Sequence, residues 1–442
     1  MPSSARQSRN PYGDLTQLRK AVRAALYAVG LGKRHPEIPF ADIVAPGMTV
    51  LLKLNWVNHL NLSGMGMECV VTHPAFVLAV LQEVLGARPG KVVLGDAPIQ
   101  GCDLEQLLTP TLRDAIFGAS SDVPIEIVDF RHLVLVDGQQ REQHSSDRYQ
   151  LFDLGADSLL EPLSHPAGRF RVTMYDPRKL KDKHQQGCHQ FLLAREAFTA
   201  DVILNLPKLN THCKAGLTGA MKNVVGLNGL KDYLPHHRVG GTTLGGDCYA
   251  GFAPLKRMAE FCLDQANLHI GTRAQKWWHG RAYQFLALHV HLGGDDQVEG
   301  AWYGNETVAA MVLDLNRILR YGMADGTMAD TPQRTIWSLT DAVICGEGRG
   351  PLAPEPVYLG AVTFASSSVA ADYVHAALLH LHSRFIPLLA HAVKPFRWPL
   401  VEEPFMPRAV TIGREYTLYE CAEELGIDVK LPAGWQHYCE RS

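Results

Sequence analysis

The chain has 442 residues, long for one domain, with 42 Lys plus Arg against 45 Asp plus Glu and a formal charge of −3. That near balance excludes charge-driven binding to nucleic acid or to an acidic membrane as the main activity. Hydrophobic residues make up 46%, enough for a sizeable core, and no Pro-rich or Gln/Asn-rich tract marks long disorder.

The opening MPSSARQSRNPYGDL has no apolar stretch, so no secretory leader is expected. Residues 14–29 then predict an amphipathic helix, with Leu15, Leu18, Val22, Ala25, Leu26 and Val29 on one face, Asp14 as cap and Gly30 as stop. TVLLKL (49–54) is a short, unbroken apolar run of the kind found in strands covered on both faces. Pro74 opens a helix that runs to Gly86, and KVVLGD (91–96) and IEIVDF (125–130) are two more buried strands. Strand, helix, strand at this spacing signifies a parallel α/β sheet. Further along, a helix is expected near 190–198, a strand at 201–207 and helices at 252–266 and 307–322. Strands at 335–344 and 357–365 and a helix at 369–381 follow.

The expected fold is therefore α/β, with two lobes on mostly parallel sheets, flanking helices and a cleft at the strand carboxyl ends. The divisions are a first lobe over 1–135, an insertion or lid over 136–190 and a central motif region of the second lobe over 191–265. An insertion (266–306), the rest of the core (307–392) and a C-terminal extension (393–442) complete the chain. No run of about 18 apolar residues occurs, so no membrane-spanning helix is expected. Nine cysteines, an odd number with no C-x-x-C pair, argue against a disulfide framework or a locally spaced metal cluster, and point to a reduced, cytoplasmic protein.

Ligands of parallel sheets bind beyond the carboxyl ends of the strands. Lys53 and Asn55 close the first strand, Asp96 closes the KVVLG strand, and Lys208, Thr211 and His212 follow DVILNLP. The densest stretch, 205–241, gathers Lys208, His212, Lys214, Lys222, Lys231, His236, His237 and Arg238 among glycines. Thr218, Gly219 and Asn223 sit where a helix would begin, an arrangement suited to cradling an anion with backbone N–H groups. GEGRGPLAP (346–354) reads as a flexible turn in which Gly348 and Gly350 present Glu347 and Arg349, and Asp372 as a carboxylate complementing the dipole of its own helix. His289 and His291 form an H-x-H pair that a strand would place on one face. Asp96, His236 and Asp341 are the candidate ligands of a divalent metal ion, the one cofactor these residues suggest. Walker A, H-E-x-x-H and G-x-S-x-G motifs do not occur.

LNLPKLNTHCKAGLTGAMKNVVG (204–226) resembles the central motif of the domain-of-unknown-function 362 family, in which Pro-Lys-x-Lys-Thr-His precedes Thr-x-x-x-Lys-Asn-x-x-Gly. LLKLN (51–55), VVLGDAP (92–98), TDAVICGEGRGP (340–351) and SSSVAADYV (366–374) agree in order, so the resemblance spans roughly 45–390. Asn210 stands where the motif has lysine, and the ferredoxin-like cysteine module of some members is missing. The resemblance implies a two-lobed α/β protein and carries no reaction. A remoter architectural likeness to the nickel-dependent lactate racemase group suggests acid–base chemistry on a small carboxylate by analogy of fold alone.

These residues predict an enzyme of lyase- or isomerase-type acid–base chemistry on a small anionic metabolite. Lys208, Lys222 and the backbone near Gly219 hold the anion, and His212 is the general acid or base. Asp96 or Asp341 orients it or carries the metal. The alternative is a non-catalytic small-molecule-binding or metallocentre-handling protein using the same cleft. Neither nucleic acid nor membrane is an expected partner, and homo-oligomerisation is left open. The enzymatic reading requires Asp96, His212, Lys222 and Asp341 to reach one ligand.

Overall fold

Short apolar runs unbroken by polar positions form the centre of one eight-stranded sheet in the computed structural model, which describes residues 10–136, 139–436 and 438. Cys439 and the first nine residues of the expected leaderless start lie outside the described residues. We number the sheet strands β1 (Thr49–Lys53), β2 (Lys91–Asp96), β3 (Ile125–Asp129), β4 (Val202–Asn205), β5 (Lys208–His212), β6 (Gly216–Thr218), β7 (Ile336–Arg349) and β8 (Ala353–Ala365). The larger helices are α1 (Leu15–Ala28), α2 (Pro74–Gly86), α3 (Pro254–Leu268), α4 (Arg273–His291), α5 (Glu306–Tyr321) and α6 (Ser368–Leu378).

β1 lies between β2 and β4, all parallel, and β3 extends β2 in parallel. β4 and β5 share one edge of β7 in a single register, because Ile203 pairs Ile336 and Lys208 pairs Asp341, an offset of 133 residues in both cases. They are thus one strand interrupted at Pro207, which has no N–H to donate to the ladder. β8 returns antiparallel on the other edge of β7, and β6 pairs β5 antiparallel.

Alternation along the strands splits the core in two. Val50, Leu52, Leu94 and Leu204 face α1 and α2, while Leu51, Val93 and Ile203 share the opposite core with α5. α5 is buried on nearly every side, as a helix must be when strand, loops and C-terminal segment all pack on it.

Several expectations change. Strands from both expected lobes enter the same sheet, so the mostly parallel α/β class stands but the lobes do not have separate sheets. Residues Cys188–Ala194 form a strand antiparallel to Tyr149–Asp153 instead of a helix, and their burial alternates with period two. His289 and His291 lie in α4, where residues two apart point about 200° from each other. Glu347 and Arg349 belong to the long β7–β8 hairpin instead of a loose turn.

Lys208 shows how the broken strand is held. Its ammonium is fully buried 2.9 Å from Asp341 Oδ2 and 2.8 Å from the Tyr12 hydroxyl, which itself donates to Asp341 Oδ1 at 2.7 Å. His73 N–H also donates to Asp341, and its ring stacks on Tyr12 at 3.7 Å. Lys208 therefore anchors the N-terminal segment and cannot reach a ligand in the cleft. Asp341→Asn leaves that ammonium without counter-charge and is expected to lower unfolding free energy by about 3–5 kcal/mol. Lys208→Met with Asp341→Leu should recover most of the loss in denaturant titrations, since the isolated charge is then gone.

Candidate anion-binding site

Lys53 ends β1 with its ammonium buried 2.8 Å from Asp96 Oδ1 and 2.7 Å from the Leu54 carbonyl. Asp96 also accepts the backbone N–H groups of Trp56 and Ala97, at 2.5 and 2.9 Å. Gly226 closes over this pair, and a Cβ there would stand 1.8 Å from Asp96 Oδ1 and 2.6 Å from Lys53 Nζ. Asn55 serves through its backbone, exchanging hydrogen bonds with Thr72.

The glycine-bounded helix start does not hold an anion from outside. Ala220 and Met221 N–H donate to the Asp372 carboxylate at 2.6 and 2.9 Å, and the helix itself spans only Ala220–Asn223. Asp372 thus neutralises a neighbouring turn, and a Cβ on Gly219 would strike it at 2.1 Å. Thr218 lies buried in β6, and Asn223 bonds Asn205 across β4 at 2.7 Å. Gly348 and Gly350 seat the hairpin on β5: Thr211 Oγ1 donates to the Gly348 carbonyl, and Cys213 N–H donates to that of Gly350. These are structural positions.

Beyond the end of β5 the remaining cations converge. Burial pushes the Lys222 ammonium down to about 7, and Lys214 and Lys231 lower it further. Lys231, pushed down to about 8 by burial, donates to the Ala97 carbonyl at 2.9 Å. Lys214 reaches Thr173 Oγ1 at 2.7 Å. His212 and His236 are each held well below the ordinary imidazole range by burial, with Lys214 and Lys222 adding to the effect. Lys222 is part-exposed and alone among these lysines makes no hydrogen bond or ion pair to a described residue.

The two imidazoles are in opposite tautomers. His212 Nδ1 accepts the N–H groups of Lys214 and Ala215 at 3.0 and 3.1 Å, so the neutral ring carries its proton on Nε2. His236 Nδ1 must donate to the Leu234 carbonyl at 2.7 Å, which leaves a lone pair on Nε2. His212 therefore offers a hydrogen-bond donor and cannot serve as a base.

The four-residue pocket expected from the sequence does not form. Asp341 is sealed behind Tyr12 on the α1–α2 side, and Asp96 is occupied by Lys53. Among the described residues no three His, Cys, Asp or Glu side chains stand as a metal-binding group, so Asp96, His236 and Asp341 do not fit a divalent ion. A hollow of about 300 Å³ at the amino ends of the strands, lined by Arg320, Arg334 and Ser366–Ser368, is not an alternative. Its arginines already donate to the Leu400, Leu319 and Gly322 carbonyls.

The family model described as Domain of unknown function (DUF362) matches residues 50–377, most of the chain, and the protein belongs to that family. A thylakoid-associated protein of Synechocystis sp. is 24% identical over 349 residues, which cover 79% of this chain and 68% of that protein. A crystal structure of a Thermotoga maritima protein aligns with 80% of this chain and 55% of its own, at 10% identity and a TM-score of 0.31.

Lys222 gives the site a measurable signature. Below pH 7 it is charged in the folded state at a cost, and between about 7 and its ordinary 10.5 the unfolded chain holds the extra proton, so its contribution to stability rises with pH. Lys222→Met should raise the melting temperature most below pH 7, with the advantage fading as pH climbs toward 10.5.

Proposed function

We propose that the Lys214–Lys222–Lys231 cluster, with the His212 Nε2–H, binds a small anionic metabolite such as a carboxylate or phosphate. The carrying observation is Lys222, a half-buried lysine with cations around its ammonium and no carboxylate partner among the described residues. An anion entering there gains several charge-assisted hydrogen bonds and relieves the mutual repulsion of the lysines. Acid–base turnover is the second reading, and one observation favours it: His212 presents a proton and His236 a lone pair in the same cluster. Neither Asp96 nor Asp341 orients His212 in this reading, because Lys53 and Lys208 engage both carboxylates.

For the compartment we propose a reducing cytoplasm, supported by an odd count of nine scattered cysteines with no C-x-x-C pair. Among the described residues no helix is long and apolar enough to cross a membrane.

Calorimetric titration with inorganic phosphate and with small mono- and dicarboxylates tests the binding. Affinity should fall as pH rises through about 7 to 8, where Lys222 and Lys231 lose their protons. Lys222→Met should weaken binding at least tenfold at pH 6.5, on the order of one charge-assisted hydrogen bond. Binding unchanged in that variant, or strengthening with pH, removes the proposal.

A further inference from the structure

The chain-wide balance of charge conceals one segment that is far from balanced. Between Asp264 and Asp295 there is no carboxylate, yet Arg273, Lys276 and Arg281 fall within it. These residues lie on α4, which packs antiparallel on α3 around a small core of Ala259, Cys262, Ala282 and Leu286. The hairpin is pinned at both ends, at its root by the Lys256–Asp295 ion pair (2.6 Å) and near its turn by Arg171–Asp264 (2.9 Å). None of the three cations on α4 pairs with a described carboxylate, and the Arg281 guanidinium lies 5.5 Å over the Trp277 ring.

At 100° per residue the outer arc of α4 and its C-terminal cap carries Trp277, Leu288 and Leu292 along one line and Tyr283 and Val290 along another, with Arg273 and Lys276 between the lines and Arg281 within the first. Trp277 is 56% exposed, Tyr283 66% and Leu292 70%. Edge contacts from Trp277 to Trp278 (4.5 Å) and from Trp278 to Phe261 (5.9 Å) carry the apolar strip onto α3, where Phe261 is also exposed. Single exposed apolar residues are ordinary, whereas a continuous set interleaved with unpaired cations is not.

We propose that the α3–α4 hairpin docks this protein on an anionic lipid surface. Protein interfaces gather an apolar centre depleted of lysine and ringed by polar groups. Here cations and exposed apolar side chains share one arc of more than half of the helix, which suits a soft acceptor in which Trp, Tyr and Leu sink while ammonium and guanidinium groups stay at headgroup level. The missing carboxylates are the complementary feature: one acidic residue on this arc would repel phosphate headgroups. The docking does not depend on the anion site.

Co-sedimentation of the full chain with vesicles of phosphatidylcholine, alone or mixed with phosphatidylglycerol, is the test. The wild-type chain should pellet with the mixed vesicles, stay in solution with neutral ones and be released by high salt. Replacing Arg273, Lys276 and Arg281 together by Gln should weaken binding roughly a hundredfold, at about fivefold per cation. Trp277→Ala with Leu288→Ala should weaken it at least tenfold, with an unchanged melting temperature because both side chains are exposed. Failure of the wild type to pellet with mixed vesicles, equal binding to both lipids, or wild-type binding by both variants overturns the proposal. So does a concentration-dependent dimer of the wild-type chain that both variants abolish, since the face would then join copies of this chain.

Discussion

A buried ammonium is tolerable only beside a counter-charge, and the carboxyl end of this sheet is organised by that requirement. Lys53 ends β1 against Asp96 from β2, and Lys208 opens β5 against Asp341 from β7. The first pair ties two parallel strands where their ladder ends and the second where its ladder begins, and each is then covered, the first by the turn at Gly226 and the second by Tyr12. The pairs lie on different sides of the sheet, since Lys53 follows the parity of Leu51 and Lys208 that of Leu204. Carboxylates committed in this way are unavailable for a metal or for orienting an imidazole. The same chemistry that fixes the fold thus removes the metal site that Asp96 and Asp341 suggested.

Against that background the cations beyond β5 are the exception. Lys214 is satisfied by a hydroxyl and Lys231 by a carbonyl, while Lys222 has neither among the described residues. Holding three lysines within Coulombic reach costs stability, and a fold tolerates such a cost where a ligand can relieve it. His212 adds a donor without adding a charge, because two backbone N–H groups fix its tautomer and burial keeps it neutral. A neutral donor among ammonium groups stabilises negative charge on a ligand without adding to the repulsion that the lysines already create.

Much of the scaffold was legible because its strands are unbroken apolar runs and its helices carry caps. Asp14 accepts from Gln17 N–H as expected, and Pro74 opens α2. The misreadings come from places where local pattern underdetermines tertiary use. CHQFLLA has too few residues to separate a strand from a helix until a partner such as Tyr149–Asp153 is known. H-x-H suits a strand by alternation, yet the long helix Arg273–His291 contains both histidines. The site was legible as a basic, glycine-rich stretch, but which lysines are paired was not, since Asp96 and Asp341 lie more than a hundred residues from their partners or on another strand. Tyr12, which seals Lys208, left no signal beyond its aromatic ring.

Asn210 makes the same point from the opposite direction. It occupies the motif position where lysine is usual, and it is fully buried, with its carbonyl oxygen accepting the Gly346 N–H at 2.5 Å and its Nδ2 without a partner among the described residues. A Cβ on Gly346 would stand 2.6 Å from that oxygen, so strand β7 approaches β5 here too closely for a longer side chain to turn aside. A lysine at 210 would place another ammonium beside Lys208, whose Asp341 already serves one cation and a hydroxyl. A neutral amide adds no charge to this buried pair, and the unpaired cations of the described chain gather instead at the Lys222 cluster, where an anion can answer them.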